Sequence, residues 1–317
     1  MKTRITLILL AMIATSCTQT PREEAKVEIA DSSLCQLGEG AFWDGPQNRL
    51  LYVDITGSKL FEYFPETGKK ESYDMPSMIG TVVPEDETHV IVALIDGIYR
   101  FTPESGELSL LVLPEGHTST QRFNDGKCDP EGRLWVGSMS LTGEEKMSFL
   151  YRVDQKGQAE AMLDSITISN GIAWNSKGDK MYYVDTPTRI VMEYEYDRAS
   201  GELGKGRQAI VVTDTLGSPD GMSIDEEDKL WIAMWGGSAV CRYDPVTGRL
   251  MERIMVPAKN VTSCAFGGRD RNILYITTAG NFGDKEADEK YPLAGSLFKM
   301  RTPVKGPQFK NYINYIN

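Results

Sequence analysis

Four acidic or amide side chains each stand directly before a glycine, at spacings of 86, 45 and 50 residues: Glu39, Asp125, Asn170 and Asp220. Carboxylates that are buried close together repel one another unless a cation lies among them. Carboxylate and amide oxygens suit hard divalent ions such as Ca²⁺, Mg²⁺ and Mn²⁺, and suit Zn²⁺ less well. The pattern therefore predicts a divalent-cation site, with Ca²⁺ as the first expectation. Taken singly, each of these dipeptides is also typical of a turn.

These residues belong to a repeat of about 45 residues. Six small residues mark it, with spacings of 40, 46, 45, 50 and 42: Gly40, Gly80, Gly126, Gly171, Gly221 and Ser263. In the second and sixth units, Ile79 and Thr262 occupy the position before the small residue. Each unit holds about four short β-branched or aromatic runs with glycine-containing turns between them, which are typical of strands in hairpins.

Six units of four antiparallel strands predict an all-β, six-bladed β-propeller, with a β-sandwich as the alternative. In a propeller, residues just before the inner strand of each blade lie at one mouth of the central channel, so the repeat would bring the four polar side chains together. Lys26 to Ser32 alternates in hydrophobicity and is predicted to pair with Leu297 to Met300, closing the ring. The charged stretch from Asp284 to Lys290 is predicted to be a solvated loop.

Tryptophans in strand patterns are expected to pack between blades: Trp135, Trp174 and Trp231. Trp235, before Gly236-Gly237, is open between packing and lining the channel mouth. The two histidines, His89 and His117, disfavour histidine-based catalysis or a His-rich zinc site. Four cysteines show no CxxC spacing and are expected to be small buried side chains, with a pairing of Cys35 left open: Cys35, Cys128, Cys241 and Cys264.

The N-terminus has the pattern of an export signal. Lys2 and Arg4 precede an apolar run too short to span a bilayer, and small residues lead to Cys17. Because this arrangement resembles a bacterial lipobox, we expect residues 1–16 to be a lipoprotein signal peptide, Cys17 to be lipidated and residues 17–25 to be a tether. The alternative is an ordinary secretory signal. Residues 26–317 are predicted to form a single propeller domain in the bacterial cell envelope, as a periplasmic or outer-membrane lipoprotein.

The chain is acidic, with a net charge of −11. Without residues 1–16, which hold two basic groups, the sum is 32 − 45 = −13. This balance disfavours binding to nucleic acid and to anionic lipid surfaces. Contact with a membrane is therefore expected only through the lipid anchor, and the chain is expected to be a monomer.

Four motifs, in order, resemble the SMP-30/gluconolactonase/LRE family of regucalcin-like sugar lactonases: Gly38-Glu39-Gly40, Arg122-Phe123-Asn124-Asp125-Gly126-Lys127, Ser169-Asn170-Gly171 and Pro219-Asp220-Gly221-Met222. The resemblance spans roughly Ser33 to Gly306. It implies a six-bladed propeller with one divalent cation near the channel mouth. Its metal ligands correspond to Glu39, Asn170 and Asp220, and its substrate-contacting pair corresponds to Arg122 and Asn124.

The repeat register and the resemblance differ by one residue, since the first selects Asp125 and the second Asn124. Because side chains alternate along a strand, we expect Asn124 to face the metal and substrate and Asp125 to be structural. The family's loop glutamate aligns with Thr142 here, so Glu144 or Glu145 is a possible replacement and the identity of the sugar stays open.

The predicted function is divalent-metal-dependent hydrolysis of a sugar-acid lactone, a small-molecule substrate. The metal would polarise the carbonyl or a bound water, and Asp220 would be both a ligand and the general base. Two alternatives remain open. One is another metal-dependent esterase acting on aryl esters or organophosphates. The other is a non-catalytic, sugar-binding propeller of the envelope, because one fold hosts many functions.

Overall fold

The computed structural model describes residues 26–315. The predicted signal peptide, the lipidation of Cys17 and the tether lie outside these described residues and stay predictions. Within residues 26–315, none of the helices has both the length and the apolar character needed to cross a membrane. The four cysteines of this range are buried and unpaired.

Six four-stranded antiparallel sheets form the described chain. The first element, β1 (Glu28–Asp31), belongs to the last sheet. The first three sheets, each written from inner to outer strand, are β2 (Gly38–Asp44), β3 (Arg49–Asp54), β4 (Lys59–Phe64) and β5 (Lys69–Asp74); β6 (Ile79–Pro84), β7 (Val90–Leu94), β8 (Gly97–Thr102) and β9 (Glu107–Val112); and β10 (Gln121–Cys128), β11 (Leu134–Ser140), β12 (Ser148–Val153) and β13 (Ala159–Ile166).

The remaining sheets complete the six-bladed β-propeller that the repeat predicts. They are β14 (Ser169–Trp174), β15 (Lys180–Asp185), β16 (Ile190–Tyr196) and β17 (Leu203–Val211); β18 (Ser218–Ile224), β19 (Leu230–Trp235), β20 (Ala239–Asp244) and β21 (Arg249–Met255); and β22 (Asn260–Gly267), β23 (Ile273–Ala279), β24 (Leu297–Arg301) and β1. The predicted closure is confirmed, because β1 pairs antiparallel with β24, with Glu28 opposite Lys299. Each inner strand contacts the next one around the ring, and β22 contacts β2.

One helix, α1 (Lys285–Lys290), lies between β23 and β24. The expectation of a loop here is wrong. The side chain of Asp284 accepts a hydrogen bond from the backbone N–H of Ala287 and so caps the first turn. Aspartate is a favoured helix cap because it satisfies an N–H that has no partner within the helix.

Hydrophobic packing between blades holds the sheets together. The inner strands are almost wholly buried, whereas an outer strand such as β21 alternates between exposed and half-buried residues. Trp135 and Trp174 meet edge to face across two blades at 5.9 Å, and Trp231 is buried against Phe266 of the next blade. The predicted packing of these three tryptophans is confirmed. The Trp231 indole N–H also donates to Asp225 Oδ2 at 2.9 Å, which satisfies its one polar atom.

The segment after β24 crosses the face of the ring at which the inner strands end. We call residues 303–315 the C-terminal strap. Its backbone hydrogen bonds reach several blades, with Glu226 N–H donating to Lys305 O, Tyr312 N–H to Pro84 O and Ile313 N–H to Gly132 O. The ring of Phe309 packs 6.1 Å from that of Phe42, on an inner strand. The strap therefore joins blades that are distant in sequence and fills the lower end of the channel.

Tyr312 anchors the strap: its ring is fully buried and its hydroxyl donates to Asp154 O at 2.6 Å. We expect Tyr312→Ala to lower the free energy of unfolding by about 3–5 kcal/mol, because it leaves a cavity the size of an aromatic ring. Tyr312→Phe should cost about 1 kcal/mol, the net value of one hydrogen bond. Denaturant unfolding measures both.

The matched control is Tyr315→Ala in the same strap, since the Tyr315 side chain is largely exposed. Its effect should stay within about 0.5 kcal/mol. Equal losses for Tyr312→Ala and Tyr315→Ala would contradict an anchoring role for Tyr312.

Candidate metal centre and active site

Every inner strand is irregular at the position that the repeat aligns. Pairing with the second strand shifts at one place in each blade: between Glu39 and Phe42, Ile79 and Thr81, Phe123 and Gly126, Asn170 and Ile172, Pro219 and Met222, and Val261 and Ser263. A bulge inserts an extra residue and re-aims the neighbouring side chains. The six bulges lie at one level of the channel, near the start of each inner strand, and they locate the site.

Three carboxylates gather at this level. Glu39, Asp125 and Asp220 are all buried. Burial raises the pKa of Glu39 to about 8, with the charge of Asp125 acting in the same direction. The pKa of Asp220 lies well above its ordinary value, first because of burial and then because of Glu39 and Asp125. These charges come from three different blades, so the ring forces together groups that repel one another.

One carboxylate oxygen of Asp220 accepts no hydrogen bond: Oδ1 is buried and has no donor beside it. A buried carboxylate oxygen without a partner is costly, and such exceptions are rare. The chemistry of the surrounding donor set, carboxylates and an amide oxygen, matches what a hard divalent cation prefers. The residues present therefore fit such an ion, with Asp220 Oδ1 directed at its place.

A hydrogen-bonded chain links the other predicted site residues. Arg122 Nη1 donates to Asn124 Oδ1 at 2.6 Å, and Asn124 Nδ2 donates to Asn170 Oδ1 at 2.9 Å. Asn170 Nδ2 then donates to Thr186 Oγ1, which donates to Pro219 O, both at 2.8 Å. This chain fixes the Asn170 amide, so that its oxygen faces Asn124 and keeps one lone pair available to a ligand.

Arg122 is the cation that acts on Glu39 and Asp220. Its side chain is buried, and burial lowers its pKa to about 10, against the opposing influence of Glu39 and Asp220. Its described side-chain hydrogen bonds both use Nη1, to Asn124 Oδ1 and Phe123 O. Nη2 is therefore available as a donor towards the channel. The structure thus brings Glu39, Arg122, Asn124, Asn170 and Asp220 into one site.

The bulge in β10 removes the simple alternation on which the choice between Asn124 and Asp125 depends. Asn124 hydrogen-bonds Asn170, and Asp125 acts electrostatically on both Glu39 and Asp220. Both side chains therefore lie at the site. Asp125 also accepts a hydrogen bond from Gly126 N–H at 2.8 Å, so one of its oxygens supports the bulge itself.

Lys127 occupies the channel below the carboxylates. Its ammonium donates to Met222 O at 2.6 Å, across the channel, and lies 5.5 Å from the centre of the Phe309 ring. Burial lowers its pKa, and the charge of Asp125 opposes this. Sequence reasoning singled out neither Lys127 nor Thr186. The chain offered no signal for Thr186, whereas Lys127 stands two residues after Asp125 on an inner strand.

Other residues considered from the sequence lie outside this centre. The His117 ring stacks on the Phe123 ring with centres 4.1 Å apart, and its Nε2 hydrogen-bonds Ile95 O, so His117 packs against β10.

Glu144 and Glu145 are exposed in the loop after β11. Within the described residues, neither side chain forms a hydrogen bond or an ion pair. Glu85, Asp86 and His89 form a second cluster of potential ligands. There, Glu85 is occupied by Arg100, and Asp86 by Thr88 and His89.

Comparison with known proteins identifies the family. The model of the SMP-30/Gluconolactonase/LRE-like region matches residues 37–280, a range that holds the whole site from Glu39 to Asp220. The chain belongs to this family. The resemblance found in the sequence motifs is thereby confirmed.

Members of the SMP-30/gluconolactonase/LRE-like family align along nearly their full length. YvrE of Bacillus subtilis, provisionally named a sugar lactone lactonase, is 38% identical over 86% of this chain and 93% of its own. Regucalcin of Danio rerio is 34% identical over 87% of this chain and 94% of its own. A crystal structure of regucalcin from Agrobacterium tumefaciens, described as a calcium-binding protein, superposes with a TM-score of 0.87 at 30% identity, covering 91% and 98% of the two chains.

The pKa of Glu39 predicts how the metal-free protein depends on pH. Between the ordinary value of 4.5 and about 8, the folded state keeps a proton that the unfolded chain has lost, so stability falls as pH rises through this window. In EDTA, Glu39→Gln should therefore melt at a higher temperature than the parent at pH 8 and at a similar temperature at pH 5. Thermal unfolding monitored by circular dichroism measures the difference.

Adding Ca²⁺ should reverse this order at pH 8, because an ion that binds only the folded state stabilises it. The control is Glu160→Gln on the exterior, where the Glu160 side chain is exposed beside Arg152. It should leave the pH dependence unchanged. If the difference between Glu39→Gln and the parent is the same at pH 5 and pH 8, the electrostatic interpretation fails.

Proposed function

We propose that this protein hydrolyses the ester bond of a lactone, with a sugar-acid lactone as the predicted substrate class, and that it uses one divalent cation. The observation that carries the proposal is the unpartnered, buried Asp220 Oδ1 beside Glu39 and a buried arginine at the hub of the ring. The names of the relatives point the same way, since one is provisionally a sugar lactone lactonase and another a calcium-binding regucalcin.

The residues that would hold the cation are Glu39, Asn170 and Asp220. Two carboxylates and an amide oxygen from three blades form a hard ligand set, for which Ca²⁺ is the first candidate and Mg²⁺, Mn²⁺ and Zn²⁺ are alternatives. When bound, the ion would supply Lewis-acid polarisation of the lactone carbonyl. The carboxylates that repel one another at the hub would then share one counter-charge.

The side chains supply the remaining steps. Arg122 Nη2 orients the lactone and donates a hydrogen bond to the carbonyl oxygen as negative charge develops on it. Asn124 donates both amide hydrogens within the protein, to Ser169 O and Asn170 Oδ1, and its oxygen accepts from Arg122, so it holds the guanidinium in position. Asp220 takes a proton from the attacking water, whose oxygen bonds to the carbonyl carbon. The bond from this carbon to the ring oxygen then breaks, and the proton passes from Asp220 to that oxygen. The product is an open hydroxy acid.

Asp220→Asn tests the base. It keeps the size of the side chain, removes the proton acceptor and weakens the ligand set, so we expect kcat to fall by about 10²–10⁴-fold. Turnover of D-glucono-δ-lactone, followed by acid release, measures it. Asp74→Asn on an outer strand is the matched control, because Asp74 is exposed and pairs with Lys59. This control should leave kcat unchanged. Wild-type turnover by a folded Asp220→Asn variant would rule out the assignment.

Chelation separates the enzyme from a non-catalytic sugar-binding propeller. Turnover should disappear in EDTA and return when Ca²⁺, Mg²⁺, Mn²⁺ or Zn²⁺ is added. Sugar lactone binding without turnover under any of these ions would favour the binding protein. Faster turnover of an aryl ester or an organophosphate than of any lactone would favour the other esterase.

Arg122→Met tests substrate orientation. Methionine preserves much of the buried volume but removes every donor and the charge. Loss of a charge-assisted hydrogen bond, worth about 1.5–3 kcal/mol, should lower kcat/KM by about 10- to 150-fold. Steady-state kinetics on the same lactone measure this loss, and a metal titration by calorimetry serves as the control for an intact cation site. If kcat/KM is retained, Arg122 does not contact the substrate.

A further inference from the structure

An aromatic residue stands beside the candidate catalytic aspartate. Trp235 ends β19, and its backbone lies opposite Ser218, two residues before Asp220. The ring is only partly buried. The following turn is fixed by Gly236, at φ = 71°, and by Gly237, where a Cβ would come within 2.0 Å of Leu216 O. Only glycine permits this close approach, so the turn holds Trp235 in place at the channel mouth.

Phe282 faces Trp235 from the next blade. The two ring centres are 6.0 Å apart and the planes are inclined by 34°. Phe282 is 60% exposed and has a left-handed backbone, with φ = 51°. A bulky residue in this region is strained, and such strain concentrates at functional sites. An exposed aromatic ring in a strained conformation is not explained by the packing of the fold.

The surface around the Trp235–Phe282 pair is mostly apolar. Most polar groups around it are bonded to one another: Gly236 N–H to Asn260 Oδ1, Ser238 Oγ to Tyr291 OH and Lys259 Nζ to Asp284 Oδ2. The exception is Asn281 Oδ1, next to Phe282, which is buried and has no hydrogen-bond partner among the described residues. Loops at the same face carry further exposed apolar side chains: Leu34, Leu141 and Met147. A polyhydroxylated sugar needs donors and acceptors around it, whereas a hydrocarbon group needs only this apolar surface.

We propose that Trp235 and Phe282 form an apolar subsite that binds a hydrocarbon substituent of the lactone, so that alkyl- or aryl-substituted lactones are preferred over the polyhydroxylated sugar-acid lactones predicted from the sequence. This inference rests on the proposed lactonase function and specifies the substrate class of the same site. The lactone ring reaches Asp220 and Arg122 at the polar centre, and the substituent extends outward over the two rings. Burial of the substituent then contributes binding energy that a bare lactone ring lacks.

The test compares three lactones with six-membered rings: unsubstituted δ-valerolactone, alkyl-substituted δ-decalactone and hydroxylated D-glucono-δ-lactone. We expect kcat/KM for δ-decalactone to exceed that for δ-valerolactone by about tenfold or more, the scale of discrimination by a hydrophobic pocket. Trp235→Ala and Phe282→Asn should each reduce this ratio severalfold. Asparagine tolerates the left-handed backbone, so Phe282→Asn should retain or raise Tm.

Val246→Asn is the matched control, because Val246 is also highly exposed but lies in the turn after β20, at the opposite face of the blade. It should leave the ratio unchanged. Equal rates on δ-decalactone and δ-valerolactone, or a larger loss on D-glucono-δ-lactone than on δ-decalactone in Trp235→Ala, would overturn the hydrocarbon subsite. Absence of turnover of all three lactones with every divalent ion would instead overturn the proposed function.

Discussion

Repulsion between carboxylates at the hub is the constraint that the rest of the structure serves. Glu39, Asp125 and Asp220 are buried, and each makes ionisation of another less favourable. Flexible chains would relax by moving such groups apart. Here each one is attached to a bulge in an inner strand, and each inner strand is packed between two neighbours in a closed ring. The closed ring therefore holds three carboxylates at a defined place where a cation would reduce their mutual repulsion.

Ring closure keeps the three carboxylates from moving apart. β1 completes the last blade, and tryptophans such as Trp135 and Trp231 fill the spaces between sheets. The polar chain from Arg122 through Asn124, Asn170 and Thr186 to Pro219 O then crosses three blades and sets the orientation of the amide groups. Stability and chemistry are thus separated in the fold: apolar contacts hold the blades, and a small polar network at their inner edge determines what can bind.

The repeat in the sequence was sufficient for the fold, because hydrophobic alternation and turn glycines act locally in each blade. It also placed Glu39, Asn170 and Asp220 at one level, since equivalent residues of equivalent blades must lie on a ring. It could not resolve Asn124 from Asp125, because the bulge is a backbone irregularity with no signature of its own. Thr186 and Phe309 were missed for another reason: Thr186 lies in a turn between two strands of its blade, Phe309 lies in the strap beyond the repeat, and both contact the inner strands only through tertiary folding.

The C-terminal strap has a consequence for how a reaction product departs. Because Phe309 and Lys127 lie on the strap side of the carboxylates, the site is approached from the opposite face of the ring. Under the proposed reaction, a neutral lactone enters and an anion is formed next to Glu39 and Asp220. With the strap side of the channel occupied, that product would leave through the face by which the lactone entered, so substrate and product would share one route.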